Sequence, residues 1–200
     1  ITAKEVLIDK ENQIITGKGD VEASDKEGKK IKANKITYKK LKEFILAEGL
    51  VEFFDTEGNI LKSDKASYDK INEVIISYEN SKLFTNDGYE LTSNNILYDY
   101  NKKIISSNQT STLVDVDGNT IQVSMFEYDL NKKLFSSIGK IKVIDKNKNK
   151  YLFKELYIDT NKKEMIGSDI SAVLDKENFG LSKENDPRFI ANDILLTKNK

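Results

Sequence analysis

Residues 31–60 read IKANKITYKKLKEFILAEGLVEFFDTEGNI, and residues 61–90 read LKSDKASYDKINEVIISYENSKLFTNDGYE. The two segments keep similar residue types at matching positions, which is the signature of an internal repeat of 30 residues. The clearest columns of the repeat are Tyr38, Tyr68, Tyr98 and Tyr128, then Gly28, Gly58, Gly88 and Gly118, then Ile1, Ile31, Leu61, Leu91, Ile121 and Tyr151. The register predicts six consecutive units and the start of a seventh.

The start of the seventh unit is displaced along the chain. Phe189, Ala191, Ile194 and Leu196 resume the apolar columns later than the strict register requires, which predicts an insertion near residues 178–187. Insertions in a repeat array map to loops. We therefore predict one repeat domain over residues 1–200. Because the pattern starts within a unit and stops before the last return strand, we expect the chain to be a fragment of a longer protein.

Alternation of apolar residues within each unit predicts strands rather than helices. In the second unit Ile31 and Ala33 are followed by Ile36 and Tyr38, then by a polar turn and a return strand that ends at Phe53. Dipeptides such as Asp87-Gly88 predict tight turns between strands. The sequence therefore predicts an all-β fold, an antiparallel meander of hairpins.

The alternation slips by one residue in the middle of the unit, which implies a bulge or bend. Pairing Tyr38 with Phe44 places Ala33 opposite Gly49, so the outgoing and return strands are both predicted to slip on one line of small residues. Glycine inside a strand often marks a tight bend. We therefore predict that the sheet is folded into a V with its apolar face inside.

The inside of the fold is the predicted functional site, an apolar trough that would hold an elongated ligand such as an acyl chain. The alternative is an ordinary core that packs shut, in which the tyrosines are stacked core residues. The residues predicted to line the trough are Ile31, Ile36, Tyr38, Phe53, Leu61, Tyr68, Leu83, Leu91, Ile96, Tyr98, Leu113, Ile121, Phe126 and Tyr128.

Composition argues against several other functions. With 32 Lys+Arg, 33 Asp+Glu and a net charge of −1, the chain offers no basic surface that would predict nucleic-acid binding. The sequence contains neither His nor Cys, so the usual general base and the usual metal ligands are missing. Aspartates such as Asp69 and Asp99 recur at the repeat spacing and are predicted to be turn acceptors. We predict no catalytic residue, no metal site, no cofactor and no enzymatic activity.

The recurring unit resembles the OstA-like family of lipopolysaccharide transport proteins over essentially the whole chain. The matching elements are an apolar-x-Ala/Ser-x-x-apolar-x-Tyr-Asp strand, a Lys/Asn turn, a strand such as Gly19-Asp20-Val21 or Gly49-Leu50-Val51, and an Asp-x-x-Gly turn. Later units depart from the third element, as at Glu79-Asn80-Ser81. The resemblance implies a β-jellyroll, also called a β-taco, that shelters lipopolysaccharide acyl chains in the periplasm.

Asn185-Asp186-Pro187-Arg188-Phe189 resembles the N-terminal periplasmic domain of the family's outer-membrane assembly subunit. That resemblance implies association with the outer membrane through the rest of the chain, whose β-barrel and lipoprotein plug would be partners. It also implies other jellyroll proteins as partners, joined by edge-strand addition. Two alternatives remain open: the soluble periplasmic bridge protein of the same system, and a secreted β-repeat scaffold that binds no lipid.

Overall fold

The computed structural model describes residues 1–175 and 187–197. Nearly every regular element in these residues is a β-strand, and a short 3-10 turn lies at Lys40–Lys42. The prediction of an all-β antiparallel meander is confirmed. The strands are β1 (Glu5–Asp9), β2 (Ile14–Ser24), β3 (Lys30–Lys39), β4 (Phe44–Phe54), β5 (Ile60–Asp69), β6 (Val74–Phe84), β7 (Glu90–Asp99), β8 (Ile104–Ser107), β9 (Ser111–Val114), β10 (Thr120–Val123), β11 (Phe126–Asp129), β12 (Leu134–Ile144), β13 (Lys150–Asp159), β14 (Glu164–Val173) and β15 (Arg188–Thr197).

The chain contains two compact units, unit 1 over Ile1–Ile104 and unit 2 over Ile105–Lys200. In unit 1 each strand from β1 to β7 pairs antiparallel with the next strand along the chain. In unit 2, β9 pairs with β10, both β10 and β11 pair with β12, and β12 to β15 follow in chain order. The single-domain prediction stays a prediction, and residues 178–186 of the predicted insertion lie outside the described residues.

The pairing across the first full turn of unit 1 differs by one residue from the sequence prediction. Tyr38 lies opposite Ile45, and Lys39 lies opposite Phe44. The prediction of Tyr38 opposite Phe44 was wrong because the loop holds four residues rather than five, closed by Glu43 in the left-handed region. A one-residue change of register exchanges the faces of a strand. The return strand therefore turns Ile45 and the buried Ala47 inward, rather than Phe44 and Leu46.

A bulge interrupts each long pair of unit 1 at the predicted crease. The bulge of β4 lies between Glu48, which pairs with Lys35 of β3, and Val51, which pairs with Ser63 of β5. Two residues of β4 there oppose one residue of each neighbouring strand. These two residues, Gly49 and Leu50, both have positive φ, at 77° and 51°. The extra residue of the bulge preserves the alternation of inward and outward side chains along the return strand. Only the outgoing strand therefore shifts this alternation by one residue. The prediction that both strands slip is wrong. The φ of 77° favours glycine at this position, and a Cβ there would also lie 2.8 Å from Asn34 Nδ2.

The bulges divide the sheet of unit 1 into two leaves. The first leaf contains the strand halves 30–33, 51–54, 60–63, 81–84 and 90–93, and the second contains 35–39, 44–48, 65–69, 74–78 and 95–99. Phe53 of the first leaf contacts Tyr68 of the second, with ring centroids 6.3 Å apart. The two leaves therefore face each other, which confirms the prediction of a folded sheet for unit 1.

Buried serines lie along the crease and are satisfied by backbone groups. Ser63 Oγ donates to Lys65 O at 2.8 Å, Ser77 Oγ donates to Ile96 O at 3.2 Å, and in unit 2 Ser137 Oγ donates to Met125 O at 2.6 Å. A bulge frees carbonyl groups from the strand ladder, and a buried carbonyl requires a donor. The small polar residues of the interior thus serve the bend of the sheet.

Candidate functional site

Most of the residues predicted to line the trough are buried within the two units. Thirteen of the fourteen are buried, with at most 6% of the side chain exposed, and Tyr38 is half-buried. The buried residues of unit 1 are Ile31, Ile36, Phe53, Leu61, Tyr68, Leu83, Leu91, Ile96 and Tyr98, and those of unit 2 are Leu113, Ile121, Phe126 and Tyr128. Side chains from the chain itself therefore fill most of this interior.

Unit 1 keeps a cavity of about 460 Å³ between its leaves, next to β2 and β3. Its walls are apolar, with Ile31 and Phe53 from the first leaf and Tyr38, Ile45 and Tyr68 from the second. The volume falls in the range of small-molecule sites. The charged residues of its lining are four lysines, Lys26, Lys29, Lys30 and Lys70, and one carboxylate, Asp25. We call this space the lysine-rimmed cavity.

Lys29 is the most deeply buried of the four lysines that line the lysine-rimmed cavity. Only 6% of its side chain is exposed, and its Nζ donates to Glu73 Oε2 at 2.6 Å and to the Tyr68 hydroxyl at 3.4 Å. The same Nζ lies 4.4 Å from the ring centroid of Tyr100, close enough for a cation–π interaction. Lys29 follows a turn of the first leaf and Glu73 ends a turn of the second leaf, so their ion pair crosses the mouth of the folded sheet.

The ion pair keeps Lys29 charged. Burial by itself lowers the pKa of Lys29, but the hydrogen bonds to Glu73 and Glu27 outweigh this effect and raise the pKa above its ordinary value. The Glu27 carboxylate lies 3.1 Å from Nζ. Glu73 also accepts a hydrogen bond from the Tyr68 hydroxyl at 3.1 Å. Because charge, hydrogen bonds and ring contacts meet at one atom, the position of Nζ is tightly specified.

A second ion pair crosses the mouth of unit 1 with the opposite polarity. Lys103 Nζ of the second leaf donates to Glu57 Oε1 of the first leaf at 2.7 Å. Beneath it Tyr98 and Tyr100 stack with centroids 4.3 Å apart, and the Tyr98 hydroxyl donates to Asp55 Oδ2 at 3.4 Å. Burial and the nearby carboxylates raise the pKa of Tyr98, which therefore stays neutral. These contacts close unit 1 beyond the lysine-rimmed cavity.

The interior of unit 2 is also closely packed. Phe126 and Phe135 stack with centroids 5.5 Å apart, and the Tyr128 hydroxyl lies 3.1 Å from Thr160 Oγ1. Burial and the Asp145 carboxylate raise the pKa of Tyr151 to about 12. The tyrosines at the ends of the strands thus direct their hydroxyls to polar partners at the turns, as buried tyrosines usually do.

A larger hollow of about 710 Å³ lies on the outer side of the crease in unit 1. Nine of its thirteen lining residues are polar or charged, and Lys62 among them donates to Glu52 at 2.6 Å. It contains none of the fourteen predicted residues. We therefore place the candidate site in the lysine-rimmed cavity, which is smaller but lies on the apolar face.

Sequence reasoning found the apolar walls of the cavity but missed its charged residues. Lys29 and Glu73 were not singled out, although Lys29 stands where later units have Asn59, Asn119 and Asn149. That exception in the repeat was the available signal. Glu73 gave no such signal, because its column contains both acidic and basic residues.

The described residues contain no group of three or more His, Cys, Asp or Glu side chains arranged to hold a metal ion. Over the same residues, no helix has the length and hydrophobicity to cross a membrane.

Comparison with known proteins finds likenesses among solved structures and none among sequences. Neither a protein-family profile nor a curated protein sequence matches the chain. Among solved structures, the chain is similar to the crystal structure of LptH from Pseudomonas aeruginosa, described as the LptA homologous periplasmic component of the conserved lipopolysaccharide transport device. The identity is 15%, the TM-score is 0.47, and the match covers 68% of this chain and 94% of that chain.

Proposed function

We propose that this chain is a lipopolysaccharide transport protein whose folded sheet shelters acyl chains on their way to the outer membrane. The observation that carries the proposal is the lysine-rimmed cavity, whose apolar walls come from the inward columns of the repeat. The resemblance of the repeat unit to the OstA-like family supports the same function. The role is one of carrying rather than catalysis.

The proposed site of action is the periplasm. We propose association with the outer membrane through further parts of the protein, as in the assembly subunit whose N-terminal domain the segment Asn185–Phe189 resembles. The β-barrel and lipoprotein plug of that subunit are then its partners. The soluble bridge protein of the same system is the alternative assignment.

Neighbouring jellyroll proteins are the proposed partners at the sheet edge. All five residues of β1 are exposed, and its apolar side chains include Val6 at 48% and Ile8 at 64% exposure. Val6 and Ile8 occupy the same repeat positions as Ile36 and Tyr38 of the next unit, which face inward. A strand added to β1 would cover these side chains and pair the free backbone groups of an edge.

A scaffold that binds no lipid is the second candidate. It is favoured by the close packing of the interior, where Ile36, Ile96 and Ile121 have no exposed surface. A scaffold requires a closed core, whereas a carrier requires the leaves to part. The two candidates therefore differ in whether lipid reaches the inward columns.

Site-specific photo-crosslinking in Gram-negative cells tests the proposal. A photoreactive residue at Tyr38 in the cavity, or at Tyr98 or Tyr128 in the packed interior, is expected to yield a lipopolysaccharide adduct. Ile71, an apolar residue that is 68% exposed, is the matched outward control and should yield none. Absence of an adduct at every inward position would leave the scaffold as the better description.

A further inference from the structure

The side chain of Lys29 departs from the role that its repeat position plays in other units. Asn59 and Asn119 each accept a hydrogen bond at Oδ1 from a backbone N–H of the following hairpin turn, at Asn86 and Lys146. Asn149 does the same for Asp175, at 2.8 Å. Asparagine at this position therefore joins successive turns of the array.

Lys29 keeps the backbone of this turn but not its side-chain contact. Its N–H donates to Asp25 Oδ1 at 2.9 Å, just as the N–H of Asn59 donates to Asp55 Oδ1 at 2.7 Å. The side chain instead crosses the mouth of unit 1 to Glu73. The turn is thus built by Asp25, and the identity of residue 29 is free to serve another purpose.

We propose that the lysine-rimmed cavity binds one unbranched alkyl chain with an anionic headgroup, and that Lys29 sets the longest chain the cavity accepts. This inference rests on the proposed function and names the ligand of the same site. The alkyl chain lies against Ile31, Ile45 and Phe53, and its tip stops at Lys29 and Tyr68.

The composition of the cavity favours this ligand. Its walls are apolar, as an alkyl chain requires, while four of the five charged residues that line it are lysines. Lys29 and Lys70 already bind Glu73 and Glu43, at 2.6 and 2.8 Å. The Lys30 amine is directed to Glu22, at 3.8 Å, and to the Phe54 ring. Lys26 is exposed and belongs to the lining of the cavity, so it is the lysine placed to receive an anionic headgroup.

The contacts of Lys29 explain why an alkyl chain stops there. Extending past Lys29 would require an apolar chain to displace an ammonium group that is held by Glu73, Tyr68 and the Tyr100 ring. Separating a buried charge from its partner is costly. A chain that reaches Lys29 therefore gains nothing from further methylenes, whereas each methylene buried before that point strengthens binding by about fourfold.

The test uses Lys29→Asn, which restores the residue found at the same position in three other units and should therefore fold. Saturated fatty acids from octanoate to stearate, below their micellar concentrations, are titrated against the full chain by displacement of a fluorescent fatty acid. For the unsubstituted protein, affinity should rise with chain length and then level off. In Lys29→Asn the levelling should move to chains longer by two or more methylenes.

Lys26→Asn is the matched control, because it removes a rim lysine from the same turn. It should weaken binding several-fold at every chain length and leave the levelling point unchanged. An identical levelling point in Lys29→Asn and the unsubstituted protein would overturn the proposal, as would failure of every fatty acid to bind.

The outcome is separable from that of the proposed function. Lipopolysaccharide adducts at Tyr38 without a shift in Lys29→Asn would leave the transport function standing and reject the role of Lys29. A shift without any lipopolysaccharide adduct would support the alkyl-chain site and reject lipopolysaccharide as its cargo.

Discussion

Aspartates at the ends of the outgoing strands organise the turns that follow them. Asp129 Oδ1 accepts hydrogen bonds from the N–H groups of Asn131 and Lys132, both at 3.0 Å, and Asp69 makes the equivalent contacts to Ile71 and Asn72. The prediction that these aspartates are turn acceptors is confirmed. Lys39 occupies the repeat position that Asp69 and Asp129 hold in later units. No side chain caps the turn that follows Lys39, and a short 3-10 turn forms there.

These turns make stability sensitive to acid. Hydrogen bonds from the Lys132 side chain and backbone lower the pKa of Asp129. A carboxylate with a lowered folded pKa contributes stability that is complete above its unfolded pKa of about 3.9 and is lost as pH falls through the folded value. Asp129→Asn keeps a carbonyl acceptor but removes the charge.

We therefore expect Asp129→Asn to be less stable than the unsubstituted protein at neutral pH and equal to it below the folded pKa of Asp129. Urea unfolding across the acidic range measures this difference. Asn131→Ser changes an exposed, uncharged side chain of the same turn and should leave the pH profile unchanged. A constant difference at all pH values would contradict the assignment.

The bulge on each return strand of unit 1 is the element that turns one sheet into two facing leaves. Its second residue has positive φ in three successive return strands, at Asp20 (47°), Leu50 (51°) and Asn80 (48°). Asp and Asn tolerate this conformation, but a leucine there is strained by about 1–2 kcal/mol. Leu50 is also 74% exposed, so little packing compensates for the strain.

Leu50→Asn should therefore stabilise unit 1, by up to about 1 kcal/mol. Leu50→Val, in which β-branching makes positive φ worse, should destabilise it by a similar amount. Chemical denaturation of both variants gives the comparison. If both variants changed stability in the same direction, side-chain hydrophobicity rather than backbone conformation would determine the effect.

Across the described residues, each strand contacts mainly its neighbours along the chain. In such arrays stability is approximately a sum over units and their interfaces. Deleting residues 120–149 removes one complete repeat and joins Asn119 to Lys150, where the register continues. The apolar columns of β9 and β13 then meet directly.

We expect this deletion variant to keep a β-sheet circular dichroism spectrum and a cooperative urea transition, with a smaller m-value because less surface is buried. Deleting only residues 120–134 is the control. It removes half a repeat and reverses the direction of every later strand, so the inward columns of β12 to β15 no longer match and the m-value should fall well below that of the full-repeat deletion. Loss of cooperativity in the full-repeat deletion would contradict the repeat architecture.

The sequence by itself determined the repeat, the order of the strands, the chemistry of the turns and most of the inward columns. All four depend on local patterns: alternation of apolar residues, aspartate and glycine at turns, and a fixed spacing between copies. They do not depend on which strand residues face each other, and so thirteen of the fourteen predicted lining residues are buried while the predicted pairing of Tyr38 was wrong.

Only the tertiary structure decided the exact register, which of the paired strands carries the bulge, and the closure of the mouth. The register depends on whether a turn holds four residues or five, and Glu43 reveals this through its backbone conformation rather than its identity. The ion pair between Lys29 and Glu73 joins residues 44 positions apart across two facing leaves. This contact forms only once the sheet has folded, because no local sequence pattern links Lys29 to Glu73.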